Sequence, residues 1–282
     1  MNHTKQKRNQ AVLAVSFGTT DPFSLNYEIG AAERAVAEAL PDFEFRRAFA
    51  SRFIIDRLKL RDGIQIDHIV QALERAADDG ITVLAVQPTY FTYGYEYAAL
   101  EHMLREKKDR FERIYLGQPL LHSDTDLETA VSAAIQKTAA YDDGKTAVCF
   151  MGHGTRQQDT SGFIVKEADG VYIRLQEKFA RAGCKNHYVA TMQAVPSFEE
   201  LAEKLQRNGT YQRAVLMPLM LSAGRHAERD MAGDGQDSWK SRLLALGYEV
   251  VCVMEGFGQI KLIQKLYAAH ACSAVKLNNC LI

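Results

Sequence analysis

Two histidines in the second half of the chain end apolar runs, where side chains capable of chemistry are most useful. In 147-AVCFMGHGTRQQ-158 a buried strand would deliver His153 between two glycines, which let the backbone turn sharply and leave the imidazole reachable. In 214-AVLMPLMLSAGRHAERDMAGDGQDSWKSRL-243 a second strand would run through a Ser-Ala-Gly turn to His226 and a helix start dense in Glu228, Asp230, Asp234 and Asp237. Those acids alone could cap a helix and complement its dipole. Capping does not account for a second histidine at a strand end. Two imidazoles meeting in one cleft suit a borderline divalent transition metal such as Co²⁺, Ni²⁺, Fe²⁺ or Zn²⁺ rather than Mg²⁺ or Ca²⁺. Two ligands bind such an ion weakly, which serves metal transfer better than metal storage. The other six histidines lie on expected helix faces, at a strand start, in a loop or near the termini, and are read as structural.

A third feature is the aromatic stretch 87-QPTYFTYGYEYAAL-100, with four tyrosines and one phenylalanine after a strand end in the first half. It could cover the domain, or wall a cleft for a flat, partly apolar ligand whose polar rim meets the hydroxyls. Met192, Met217, Met220 and Met231 would extend an adaptable apolar surface near the same level. Other chemistries find no support: SFGTT and GHGTR lack the spacing and lysine of a P-loop, no Gly-x-Gly-x-x-Gly opens a helix, and no Gly-x-Ser-x-Gly elbow is present.

Positioning these residues requires buried strands alternating with helices. Seven apolar, β-branched runs (11–17, 81–87, 112–117, 146–151, 187–192, 213–220 and 248–254) lack strict alternation and suit strands covered on both faces. Between them, 26–40, 65–79, 96–111, 124–139, 163–182, 198–208 and 238–247 have helical spacing, which predicts parallel sheets of the α/β class. The chain also repeats itself. SFGT at 16–19 matches GHGT at 152–155, and 71–88 matches 200–218 as helix, glycine turn and strand ending in proline. The prediction is two similar α/β domains, 11–140 and 141–282, each a parallel sheet flanked by helices, with the strand ends of both around a shared cleft. The tail 270–282 is apolar enough for a packed helix or an interface strand, and it leaves a homo-oligomer open.

The composition is compatible with this. The 282 residues carry a net charge of −1, with 47% hydrophobic and 24% charged residues, which excludes disordered and collagenous classes and makes nucleic acid an unexpected partner. No run approaches the length of a membrane span, and the short apolar run after the basic start has no cleavage site, so no membrane partner and a cytoplasmic location are expected. The five scattered cysteines include no Cys-x-x-Cys pair, so reduced thiols are expected.

Taken together, SFGT, 46-RRAFASRFIIDRLKLRDGIQID-67, 86-VQPTYFTYGYEY-97, 118-QPLL-121, 150-FMGHGT-155 and 216-LMPLMLSAGRHAERDMAGDGQDSW-239 resemble the class II tetrapyrrole chelatases, specifically the anaerobic sirohydrochlorin cobalt chelatases. The resemblance implies insertion of a divalent metal substrate, typically cobalt with nickel or iron as alternatives, into sirohydrochlorin for cobalamin biosynthesis, with no organic cofactor. It assigns metal binding to His153 and His226, the role of base to His153, and contacts with the tetrapyrrole to Ser16, Thr19, Gln87, Tyr90, Tyr93 and Met192. Two departures stand out. Gln193 occupies the place of the family's third metal-holding residue, a glutamate in Glu-x-x-Pro, and Glu96, Glu199 and Glu228 are acids that could substitute for it. Tyr90 and Tyr93-Gly94 replace a histidine and an Asn-Gly pair, and a tyrosine there could stack on a tetrapyrrole or ligate a haem iron. These departures keep two alternatives open: action on a porphyrin or haem, and a non-catalytic tetrapyrrole or metal carrier.

Overall fold

The computed structural model describes residues 9–154, 170–277 and 280–281; Thr155 of the GHGT motif and the start of the helix expected from 163 lie outside the described residues. Among the described residues nine strands form two all-parallel sheets. β1 (Gln10–Ser16), β2 (Glu44–Phe49), β3 (Asp67–His68), β4 (Val83–Pro88) and β5 (Arg113–Leu116) take the order β3-β2-β1-β4-β5. β6 (Thr146–Gly152), β7 (His187–Thr191), β8 (Arg213–Pro218) and β9 (Glu249–Cys252) take the order β7-β6-β8-β9. Laying β6 on β1 superposes the orders, with β7 on β2, β8 on β4 and β9 on β5. The repeat legible in the sequence is therefore also a repeat of topology, and Ser16-Phe17-Gly18 and Gly152-His153-Gly154 occupy equivalent ends of the two central strands.

The helices are α1 (Gly30–Ala39), α2 (Arg52–Asp62), α3 (Ile69–Asp78), α4 (Tyr95–Glu106), α5 (Asp124–Thr138), α6 (Gly170–Arg181), α7 (Phe198–Asn208), α8 (Trp239–Ala245) and α9 (Lys261–Lys276). Serine hydroxyls at the starts of α2, α5, α7 and α8 accept backbone N–H groups that the first helical turn leaves without partners. Helices on both sides bury β1 and β6 almost throughout, which explains why both read as unbroken apolar runs.

One apolar core, including Val12, Phe150, Met217, Phe257 and Tyr267, is shared by the two halves. Two smaller cores back the opposite faces, around Leu13 and Leu73 in the first half and Met151 and Trp239 in the second. The final helix crosses the 140/141 division: α9 packs on α1 and against β4 and β5. Beyond it Cys280 pairs antiparallel with Tyr115, and the Leu281 N–H donates to the Ile114 carbonyl at 2.8 Å. The tail is thus a packed helix followed by a strand bridge, both on the first sheet.

A buried carboxylate fastens the halves together behind the cleft. Glu28, 0% exposed in a π-helical turn before α1, accepts hydrogen bonds from the Ala223 N–H (2.9 Å), the Gly256 N–H and Gln259 Nε2 (3.0 Å). Ala223 and Gly256 belong to the loops after β8 and β9. An alanine at position 28 would strand two backbone donors, each at about 1–3 kcal/mol. Glu28→Ala should therefore lower unfolding stability by about 2–5 kcal/mol in urea titration, and a change under 1 kcal/mol would show that the tether contributes little.

Candidate active site between the sheets

A cavity of about 670 Å³ opens where both central strands end, within the range typical of small-molecule sites. Its first-half lining comes from the loops after β1 and β4 and from α2, and its second-half lining from His153 and Gly154 and from the loop leading to His226. His153 is placed there by two tight passages of backbone. A Cβ on Gly152 would lie 2.4 Å from the Tyr172 ring. Gly154 has φ +76° and would set a Cβ 2.9 Å from that of Ala194, so larger residues would strain or displace this turn. Gly18 repeats the device in the first half, with φ +104° and the Phe49 ring 2.6 Å from a would-be Cβ. Phe17 therefore stands at the repeat equivalent of His153 and lines the same cavity.

The His153 and His226 rings meet edge to face, with centres 5.1 Å apart and planes at 78°. Each has its Nδ1 engaged by an acceptor. His153 Nδ1 donates to the Gly154 carbonyl at 2.8 Å, and His226 Nδ1 donates to Asp230 Oδ2 at 2.7 Å. Because carbonyl and carboxylate oxygens only accept, the neutral form of each ring carries its lone pair on Nε2, which has no hydrogen-bond partner among the described residues. Burial pushes the Asp230 carboxyl up, but hydrogen bonds from Arg229 and His226 outweigh it and hold the group below the ordinary carboxylate range. Asp230 is therefore an ionised acceptor near neutral pH. With an imidazole nitrogen about 2.1 Å from a bound ion, rings at this spacing can share one metal. Among the described residues no group of three His, Cys, Asp or Glu side chains is placed to hold a metal, and the two imidazoles are the donors they bring together here.

Of the tetrapyrrole contacts expected from the sequence, Ser16, Thr19 and Tyr90 line the cavity. Ser16 is fixed by the Thr89 hydroxyl at 2.8 Å, and the Thr89 carbonyl accepts from the buried Tyr267 hydroxyl at 2.9 Å, so α9 supports the loop from below. Burial pushes the Tyr90 phenol far above its ordinary range, and its Oη is closed off without a hydrogen-bond partner among the described residues. In the metal-free protein Tyr90 is therefore a protonated phenol with a buried hydroxyl at the cavity wall.

Gln87, Tyr93, Met192 and Gln193 are not brought to the cavity. Gln87 is fully buried, donates to the Pro88 and Gln118 carbonyls, and presses against Gly117, which has no room for a Cβ beside it. Tyr93 donates to Glu101 at 2.9 Å, and Met192 packs on the outer core of the second sheet. Gln193 lies in the turn 192–196 whose Ala194 abuts Gly154, and it is absent from the cavity's described lining. Among the substitute acids, Glu96 and Glu228 line the cavity, whereas Glu199 is paired with Arg242 at 2.7 Å. Sequence reasoning missed Phe17, Phe53, Arg57 and Arg225. The internal repeat could have pointed to Phe17.

The family model described as Cobalt chelatase (CbiK) matches residues 10–276. The chain is 34% identical over 269 residues to a sirohydrochlorin cobaltochelatase of Salmonella typhimurium, covering 95% of this chain and 97% of that protein. It is 31% identical over 247 residues to the sirohydrochlorin cobaltochelatase CbiKC of Nitratidesulfovibrio vulgaris, covering 86% and 83%. In fold it is similar to SirB from Bacillus subtilis with Fe³⁺, at a TM-score of 0.62 and 16% identity over 96% of this chain and 97% of that one. With a repeated α/β fold and a histidine pair at the joint strand ends, the chain belongs to the cobalt chelatase family.

Proposed function

We propose that the protein inserts Co²⁺ into sirohydrochlorin, using the cavity between the sheets as the reaction chamber. The histidine pair carries the reading: two part-exposed imidazoles, each with its Nδ1 held by an acceptor, face one another on a wall of a cavity that Phe17, Phe53, Tyr90 and Phe91 also line. The names of the two curated relatives support both the metal and the macrocycle.

In this reading Co²⁺ is a substrate, held by the Nε2 atoms of His153 and His226 while the macrocycle lies on the aromatic wall. Insertion exchanges two pyrrole protons for the ion, so the site must receive protons as it gives up metal. A neutral imidazole cannot be ligand and base at once, but transfer of the ion to the ring frees the Nε2 lone pair of His153 for a pyrrole proton. Glu96 and Glu228, two of the carboxylates on the cavity wall, can pass protons towards solvent. An incomplete metal shell favours release, because each further protein ligand would have to be broken before the ion enters the ring.

The test is absorbance-monitored insertion of Co²⁺, with Ni²⁺ and Fe²⁺ in parallel, into sirohydrochlorin with and without protein. Acceleration by protein, greatest with Co²⁺, supports the reading. A rate equal to the protein-free control would reject it, and insertion into a porphyrin instead would move the activity to another tetrapyrrole. Because Gln193 does not line the cavity, Gln193→Glu should change Co²⁺ affinity and insertion rate by less than about threefold. A tenfold gain in either would place that side chain in the metal shell.

A further inference from the structure

We propose that Arg57 and Arg225 form a two-point carboxylate clamp that selects tetrapyrroles with carboxylates around the whole rim; this rests on the chelatase reading above. The two arginines line the cavity from different halves. Arg57 lies on α2 one turn beyond Phe53, which also lines the cavity, and Arg225 immediately precedes His226.

Neither guanidinium makes an ion pair or hydrogen bond with a described residue, although neighbouring arginines do. Arg61 is held by Asp62 and the Thr20 carbonyl, and Arg229 by Asp230. Two exposed cations at the cavity rim with no partner among the described residues add nothing to the fold through them, whereas a guanidinium fork matches a carboxylate with two parallel hydrogen bonds. The acids Asp21, Glu96 and Glu228 share the lining, so the site is not broadly positive. Asp21 is already engaged by the Ser24 N–H at 2.6 Å. The attraction is therefore local, with one arginine contributed by each half. Aromatic walls with a cationic point in each half complement a flat apolar ring that carries anions along more than one edge. A ring with carboxylates along one edge can satisfy only one of the two points.

The experiment measures binding of two metal-free probes by fluorescence: uroporphyrin, with carboxylates on every pyrrole, and deuteroporphyrin, with propionates along one edge only. Arg57→Ala and Arg225→Ala should each weaken uroporphyrin about tenfold, and the double variant about a hundredfold, in line with charge-assisted hydrogen bonds. Deuteroporphyrin should lose no more than about tenfold in the double variant. The salt dependence of uroporphyrin binding should flatten, and the Arg→Lys variants should recover part of the affinity. Equal losses for both probes, or no loss for either, would overturn the clamp. Cobalt insertion by the unaltered protein, run in parallel, reports on the chelatase reading separately, because the porphyrin affinities judge the arginines whether or not metal is inserted.

Discussion

His153→Ala should lower the rate of Co²⁺ insertion by about 10²- to 10⁴-fold, the range associated with removing a positioned base, with little effect on stability. The fold around residue 153 is set by its neighbours: Gly152 passes against Tyr172, and Gly154 takes a positive φ against the 191–194 turn. The imidazole itself is half-buried and, among the described residues, bonds only to the adjacent Gly154 carbonyl. Among the described residues its removal unpairs one acceptor, the Gly154 carbonyl. The check is single-turnover insertion alongside thermal unfolding. An unchanged rate would remove His153 from the mechanism, and a large fall in melting temperature would make the rate loss uninformative.

Asp230→Asn should weaken Co²⁺ binding by about 10- to 100-fold, the usual consequence of losing the carboxylate that orients a metal-binding histidine. The ionised Asp230 accepts the His226 Nδ1 proton at 2.7 Å and so fixes the tautomer with a free Nε2. An asparagine can turn its amide N–H towards Nδ1 and favour the opposite tautomer, in which Nε2 carries the proton and cannot ligate. Asp230 is also bonded by the Arg229 Nε at 2.7 Å, which keeps the carboxylate in place and ionised. Isothermal titration with Co²⁺ measures the loss. Combining the change with His226→Ala separates tautomer control from packing: the double variant should bind no more weakly than His226→Ala alone. Additive losses would mean that Asp230 acts on the metal by another route.

Much of the scaffold was legible because its central strands are buried on both faces, and burial of that kind writes continuous apolar runs such as 11–17 and 146–151. β2 was illegible for the converse reason. Its Glu44, Arg46 and Arg47 interrupt any apolar run, so the segment is missing from the predicted strands, yet Arg47 pairs with the buried Glu33, and Arg46 pairs with Glu44 and Asp79. Ion pairs let a charged segment take a place next to the central strand. The return of α9 to the first sheet was also hidden, since nothing in local periodicity says which sheet an apolar helix will cover.

In the candidate site, His153 and His226 were found because glycines and strand ends mark them in one dimension. Gln87, Tyr93 and Met192 carried the same mark but point elsewhere: the first against Gly117, the second towards Glu101, the third into the outer core. Proximity to a strand end is written in the sequence, whereas side-chain direction depends on the neighbouring strand or helix. Phe53, Arg57 and Arg225 went unseen for a related reason, since only the meeting of the two halves makes them neighbours of one cavity.

The account turns on one ion shared by His153 and His226, and X-ray absorption at the cobalt edge of the Co²⁺-loaded protein tests it most directly. The expected spectrum contains scattering from two imidazoles at about 2.1 Å, falling to one in either His153→Ala or His226→Ala. A spectrum with no imidazole scattering, or one unchanged by both substitutions, would contradict the assignment and place the metal elsewhere in the protein.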